Sequence, residues 1–342
     1  MGRMKFLAII SILVLVVIFG VMFVGKFVSF PNPITSQVND MSDDTRDVDK
    51  TIELREVYVE NSSFFKDVSF EQPHDILLTS YGSILVSDAK ANCLYEFDID
   101  GNYIGKIGKT GNGEVEFNFP TALCEHDGNI IVVDNFNDRV QILSGKTYKY
   151  LDQISLDTKL ISDSTYYTSI VSDGDSAIYI SGNFMYMGDA YVKKIIIDQN
   201  NPRYKEIQVI APLCGKLYYD NNEDTLYMAE TYELKSSNGS YKRMRGTHYL
   251  RAFDVVNGKE NIVFEFPVKY MPSALFKTNE GFISISLTRE TIDRFDADGE
   301  YIDTIFMADK NKGFHYAKMS DDGVIYLSCT YMGRVLKLSM NQ

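Results

Sequence analysis

Tryptophan is absent from this 342-residue sequence, and histidine and cysteine occur only four times each. The cysteines, Cys93, Cys124, Cys214 and Cys329, form no CxxC pair, which excludes the common zinc-binding spacings. Each lies in or at the end of an apolar, strand-like run. They read as buried free thiols, not as a disulfide framework. Basic residues are also short, with 34 Lys and Arg against 47 Asp and Glu and a net charge of −13. That excludes the basic face a nucleic-acid partner requires. It suits a domain kept soluble by self-repulsion. Neither a Gly-x-Ser-x-Gly elbow nor a His-Glu-x-x-His helix is present, so two frequent hydrolase signatures are missing.

What the chain has in quantity is Tyr and Phe, 23 and 21 residues, within a 45% hydrophobic composition. Both favour half-buried strands. At the N-terminus, Arg3 and Lys5 precede an uncharged run from Phe6 to Val24. As a helix this run spans about 28 Å, close to the hydrocarbon thickness of a bilayer. No small-x-small cleavage site follows, and no lipoprotein cysteine. The segment therefore reads as an uncleaved single-pass signal anchor, with a cleaved signal as the alternative. The expected organisation is a short cytoplasmic N-terminus (1–5), a transmembrane anchor (6–29), a flexible acidic linker (30–50) and an extracytoplasmic domain (51–342).

That domain carries an internal repeat. SILVSD, NIIVVD, AIYISG, TLYMAE, GFISIS and VIYLSC end at positions 88, 134, 182, 230, 286 and 329, a spacing of 43 to 56 residues. Such a period in β-type sequence points to propeller blades. Each marker has a strand-like run before it and another after it. Asp-Gly pairs at 100–101, 127–128, 298–299 and 322–323 supply hairpin turns. Fourth strands follow in five blocks, and the sixth runs out of chain. TIELREVYVE (51–60) alternates apolar and polar residues and is expected to supply the missing strand, closing the ring and removing two exposed edges. The fold class is thus all-β, a six-bladed β-propeller with one N-terminal transmembrane helix.

The stretch Gly111–Leu143, GNGEVEFNFPTALCEHDGNIIVVDNFNDRVQIL, resembles an NHL repeat in its Gly-rich entry, Phe-x-x-Pro, Asp-Gly turn, Val-Asp and Asn-x-x-Arg-Val. Residues 71–98 repeat it more loosely, and the other blades keep only the hydrophobic spacing. The resemblance is to bacterial extracytoplasmic six-bladed propellers related to NHL proteins. It implies a scaffold for binding, with a minority of relatives acting as metal-dependent lyases or lactone hydrolases. Fold does not choose between these.

In a propeller the starts of the inner strands share one face with the connections between blades. His74 and His315 occupy equivalent slots there in blades one and six, neighbours around the ring. The matching positions elsewhere are Thr121, Thr168, Leu213 and Ser273. The two imidazoles are weak candidates for a divalent metal or an acid/base pair. A catalytic zinc normally takes three protein ligands, and no third histidine or carboxylate joins this ring. This departs from the three-histidine arrangement of NHL-type lyases. No cofactor is expected beyond such an ion.

Asp88, Asp134 and Glu230 end marker strands and are expected to hold neighbouring loops, Asp134 by pairing with Arg139. GKTGNGEVEF (108–117) lacks the ending of a phosphate loop and reads as the connection between blades one and two. The same-face loops are aromatic, and 231–248 reads as a long loop carrying Lys235, Lys242, Arg243 and Arg245. The candidate ligand-binding face comprises His74, Phe136, Arg139, Phe184, Tyr186, Tyr232, Arg243, Arg289, His315 and Tyr331. Its expected partner is a protein, peptide or glycan.

Overall fold

The structure is a computed structural model describing residues 58–61, 64–156, 165–184, 190–198, 201–211, 213–232, 234–237, 240–243, 248–308 and 313–340. The expected anchor (6–29) and linker (30–50) lie outside the described residues. Among the described residues no helix is long and apolar enough to cross a membrane.

Six four-stranded antiparallel sheets form the blades. In blade one the strands are Pro73–Leu78, Ser83–Asp88, Cys93–Asp98 and Tyr103–Ile107, ordered from the inside outward. Blade two repeats this with Pro120–His126, Asn129–Asp134, Arg139–Ser144 and Tyr150–Ser155. The inner strands of blades three to six are Thr165–Ser172, Cys214–Asp220, Pro272–Thr278 and Tyr316–Met319. Blade six is completed from the other end of the chain. Tyr58–Asn61 pairs with Arg334–Met340, Tyr58 opposite Met340, as its outermost strand. The expected ring closure is therefore present over the described part of 51–60.

The marker strands are buried on both faces because each blade is packed between two others. Side chains alternate along a strand, so neighbours serve different interfaces. Leu77, Leu85 and Leu94 join Leu123, Val132 and Leu143 of blade two. Ile76, Ile84, Val86 and Phe97 turn the other way, to Tyr326 and Val335 of blade six. The same arrangement recurs at each remaining blade boundary. Outer strands carry exposed aliphatics such as Ile104 and Leu151, since only one of their faces meets another blade.

Serines near the ends of the marker strands link consecutive blades. Ser87 Oγ donates to Thr121 O at 2.6 Å and Ser328 Oγ to Pro73 O at 2.7 Å, while Ser181 Oγ accepts from Gly215 N at 3.0 Å. Of the four Asp-Gly pairs, only 127–128 has both residues at positive φ; in the others the glycine alone is left-handed. Asp127 and Gly128 both take positive φ, 48° and 66°, the requirement of a type I′ hairpin. Gly101 has φ 77°, and an added Cβ would stand 2.1 Å from Phe64 O. Gly101→Ala combines left-handed strain with that clash and is expected to cost about 2 kcal/mol. A denaturant titration reads the loss as a lower midpoint at unchanged slope.

Two expectations change. The segment 231–248 is not simply a loop. The second strand of blade four runs on to Tyr232, and Leu234–Ser237 pairs with Ser240–Arg243 as a separate hairpin. Blade four's equivalent of His74 is Gly215, not Leu213. A bulge between Cys214 and Gly215 shifts the register, so that Gly215 faces Glu230 and Leu217 faces Met228.

Candidate functional site

The inner strands begin beneath a layer of rings. In blade two the chain turns through Asn135–Asn137, a single 3-10 turn that raises Phe136 to 45% exposure. Phe136 stacks on Phe119 at 4.6 Å, and Phe119 is fixed by its own N–H, which donates to Asn92 Oδ1 at 2.8 Å. Phe119 in turn contacts Tyr166 of blade three at 5.9 Å and His74 of blade one at 5.6 Å. His74 lies 4.9 Å from the Tyr316 ring of blade six. The equivalent 3-10 turn of blade six, Thr330–Met332, raises Tyr331 to 58% exposure, edge-on to His315 at 4.6 Å. An aromatic arc thus crosses blades six, one, two and three.

The arc buries imidazole without satisfying it. His74 is only 3% exposed, and its Nδ1 has a long contact of 3.5 Å to Tyr166 Oη. Among the described residues its Nε2 and the ring nitrogens of His315 are buried without a hydrogen bond of good geometry, although the Gly313 backbone stands beside His315. Burial drives His74 well below its ordinary range, reinforced by His315 and Lys216. Burial also drives His315 down to about 4. Both rings are therefore neutral at physiological pH. A neutral imidazole offers one donor and one acceptor, and an unmet buried polar atom is costly until a ligand or water meets it.

Other expected residues divide. Arg139 is buried inside blade two. Its Nε binds Asp134 Oδ2 at 2.9 Å, Nη1 binds Gln153 Oε1 at 2.8 Å, and Nη2 reaches Gly113 O and Glu116 O at 2.8 and 2.9 Å. Its donors are committed to the fold, so it does not face a ligand. Asp134 Oδ1 also accepts from Asn118 N at 2.7 Å, which ties down the approach to Phe119. Asp88 holds Glu71 N and Gln72 N at 2.7 and 2.9 Å, and Glu230 meets Arg251 at 3.5 Å. Asp88 and Asp134 also hold the following loop through Ala91 N and Asn137 Nδ2, whereas Glu230 is tied to the strand Tyr249–Asp254 and not to a loop. Arg289 is exposed, with its guanidinium 5.6 Å from the Tyr270 ring, on blade five. Phe184, Tyr232 and Arg243 fall at strand ends whose side chains are outside the described residues, and Tyr186 lies outside them altogether.

Sequence reasoning passed over Asp75, Phe119, Tyr166, Lys216 and Tyr316. Asp75 and Lys216 are charges inside inner-strand runs, HDILL and CGKLYYD, where apolar residues are the rule; that was the available signal.

Residues 64–234 match the family model described as a 6-bladed beta-propeller, DUF5128. Among curated proteins none matches the sequence. Solved structures share the fold at low identity. A regucalcin described as a calcium-binding protein, from Agrobacterium tumefaciens, is 11% identical with TM-score 0.58, covering 80% of this chain and 91% of that one. Virginiamycin B lyase from Staphylococcus aureus is 11% identical with TM-score 0.54, covering 83% and 100%. A Bacteroides thetaiotaomicron protein of unknown function is 9% identical with TM-score 0.55, covering 84% and 73%. These likenesses concern architecture alone. The family match spans half of the chain and coincides with blades one to three and the start of four, and on that footing this chain belongs to the DUF5128 family of six-bladed β-propellers.

Proposed function

We propose that this chain is a binding propeller, displayed outside the cytoplasm on its N-terminal anchor, that engages a protein, peptide or glycan across the aromatic arc. The observation carrying this reading is the combination of exposed rings, Phe136 and Tyr331, with buried imidazole, of which His74 Nε2 meets no partner among the described residues. Exposed aromatic faces suit the C–H face of a sugar or an apolar peptide side chain, and the imidazoles suit a hydroxyl or amide. The uncharged run Phe6–Val24 behind Arg3 and Lys5 supports the anchor and its orientation.

Full-length protein in detergent, applied to glycan and peptide arrays, tests the reading. Binding to one ligand class is expected. Phe136→Ala with Tyr331→Ala should weaken it at least about tenfold, since such anchors are worth about 1–2 kcal/mol each. Binding that is indifferent to both substitutions would sink this face.

A metal-dependent hydrolase or lyase is the second reading, favoured by the paired, unpartnered histidines. The donor set does not complete such a site. Among the described residues no group of three His, Cys, Asp or Glu is placed to hold an ion. Calorimetric titration with zinc and calcium separates the two readings. Stoichiometric binding lost in His74→Ala would revive the enzyme.

A further inference from the structure

Behind the aromatic arc the central channel is blind. A cavity of about 990 Å³ follows the six inner strands from Asp75, Lys216 and Tyr316 to Asn222, Asn279 and Asp322, which are exposed on the opposite face. His74 and Tyr166 are not among its walls; they lie beyond its closed end. Among the described residues the packed rings of His74, Phe119, Tyr166 and Tyr316 stand at that end, and the cavity opens where the inner strands end.

A lysine stands at the closed end. Lys216 Nζ lies 3.7 Å above the centre of the Tyr316 ring and donates to Thr168 O at 3.2 Å. Asp75 shares the closed end, but no ion pair joins it to Lys216. Its oxygens accept instead from Leu123 N and Ile76 N, both at 2.9 Å. Lys216 thus has one oxygen acceptor and a ring face for three donor positions, with the cavity in front of it.

We infer that Lys216 is a carbonyl-capturing amine, and that the blind channel admits a small neutral aldehyde or ketone to it. The charge at the opening selects the neutral class. Glu125, Asp321 and Asp322 stand there with the exposed Lys318, and the Lys277 ammonium is held by Asp220 and Glu223, so that carboxylates outnumber the free cation. With the chain at −13, an anionic ligand is repelled from this entrance.

Burial drives Lys216 down to about 7, against the partial support of Asp75 and Cys214. Among its neighbours on the adjoining strands Asp75 favours protonation, while His74 and His315 are neutral rings that carry no charge against it at pH 7. A desolvated amine of this kind is the nucleophile of imine chemistry. Its lone pair adds to the carbonyl carbon, and a nitrogen proton passes to the oxygen. The carbinolamine then loses that oxygen as water, leaving an imine. Asp75, held protonated more readily than usual by burial, is the carboxyl at hand for the proton.

The test is reductive trapping on the full-length protein. Benzaldehyde and cyanoborohydride at pH 7.5 convert an imine into a stable benzylamine, located by peptide mass mapping. An ordinary lysine is only about 0.1% neutral at that pH. Lys216 should be labelled roughly ten- to a hundredfold faster than the exposed Lys90 and Lys109, with a rate that climbs through about pH 7. Lys216→Arg keeps a cation but cannot form the imine, and should lose this adduct alone. Wild-type labelling of Lys216 no faster than Lys90 overturns the inference, and the comparison within one protein does not depend on any variant folding. A loss of array binding in Phe136→Ala bears only on the other face.

Discussion

Arg139→Ala is expected to lower stability by about 3–5 kcal/mol, the usual consequence of leaving one member of a buried ion pair uncompensated. Arg139 serves four acceptors: Asp134, Gln153, Gly113 O and Glu116 O. Its removal strands the Asp134 carboxylate, which burial already pushes above its ordinary range despite the guanidinium. For a domain of this size the melting temperature should fall by roughly 6–15 °C. Hydrogen exchange should quicken first over 111–119, the segment that Arg139 and Asp134 hold together. That segment carries Phe119, on which Phe136 stacks, so array binding should weaken along with stability. A double change, Asp134→Leu with Arg139→Met, should recover much of the stability, because an apolar pair leaves no charge uncovered. A melt within 2 °C of wild type for Arg139→Ala would show that the network contributes little.

Acidification is expected to act through the aromatic arc. His74 and His315 have folded pKa values below the unfolded value of 6.5, His315 near 4. The unfolded chain therefore takes up more protons than the fold between these limits, and stability must rise with pH across the window. The contribution is complete above about pH 6.5 and is lost as pH falls towards 4. For His315 alone the loss from pH 7 to pH 5 is about 2 kcal/mol, since one pKa unit is worth about 1.4 kcal/mol. His74 adds to it in the same direction. Chemical denaturation at pH 7, 6 and 5 measures the slope, and His315→Phe should flatten it. A His315→Phe slope equal to that of wild type would mean that other groups dominate. A bound ligand that accepts from imidazole would make the slope shallower, linking this measurement to the proposed binding site.

Much of the architecture was legible because propeller blades write themselves as a period. The marker strands are sandwiched between blades, so SILVSD and NIIVVD read as apolar runs bounded by turns. The closing strand was legible from the strand missing in the sixth block together with the alternation of 51–60. The hairpin at 234–243 was not, since LKSS and SYKR are short and polar and carry no alternating apolar pattern. The arc was visible only in pieces. Phe136, His315 and Tyr331 could be placed on one face from the repeat. Phe119, Tyr166 and Tyr316 converge from three blades, and only ring closure brings them together. Arg139 shows the opposite case. Its pairing with Asp134 followed from register, and that same pairing removes it from the binding face. The blind end of the channel depends on which residue of each inner strand leans inward, and a one-residue bulge such as that at Cys214 changes the answer.

The clasp of blade six also sets an order of events during biosynthesis. Tyr58 is made before its partner Met340, which lies 282 residues further along the chain. At about 5–20 residues per second the wait is about 15–60 s. Throughout that time the first-made strand has no edge to join, while each of blades one to five is complete as soon as its own four consecutive strands are made. The ring therefore cannot shut until Arg334–Met340 has been made. An uncovered strand waiting at the N-terminal end is the point at which a nascent chain of this kind is most open to mispairing with another copy.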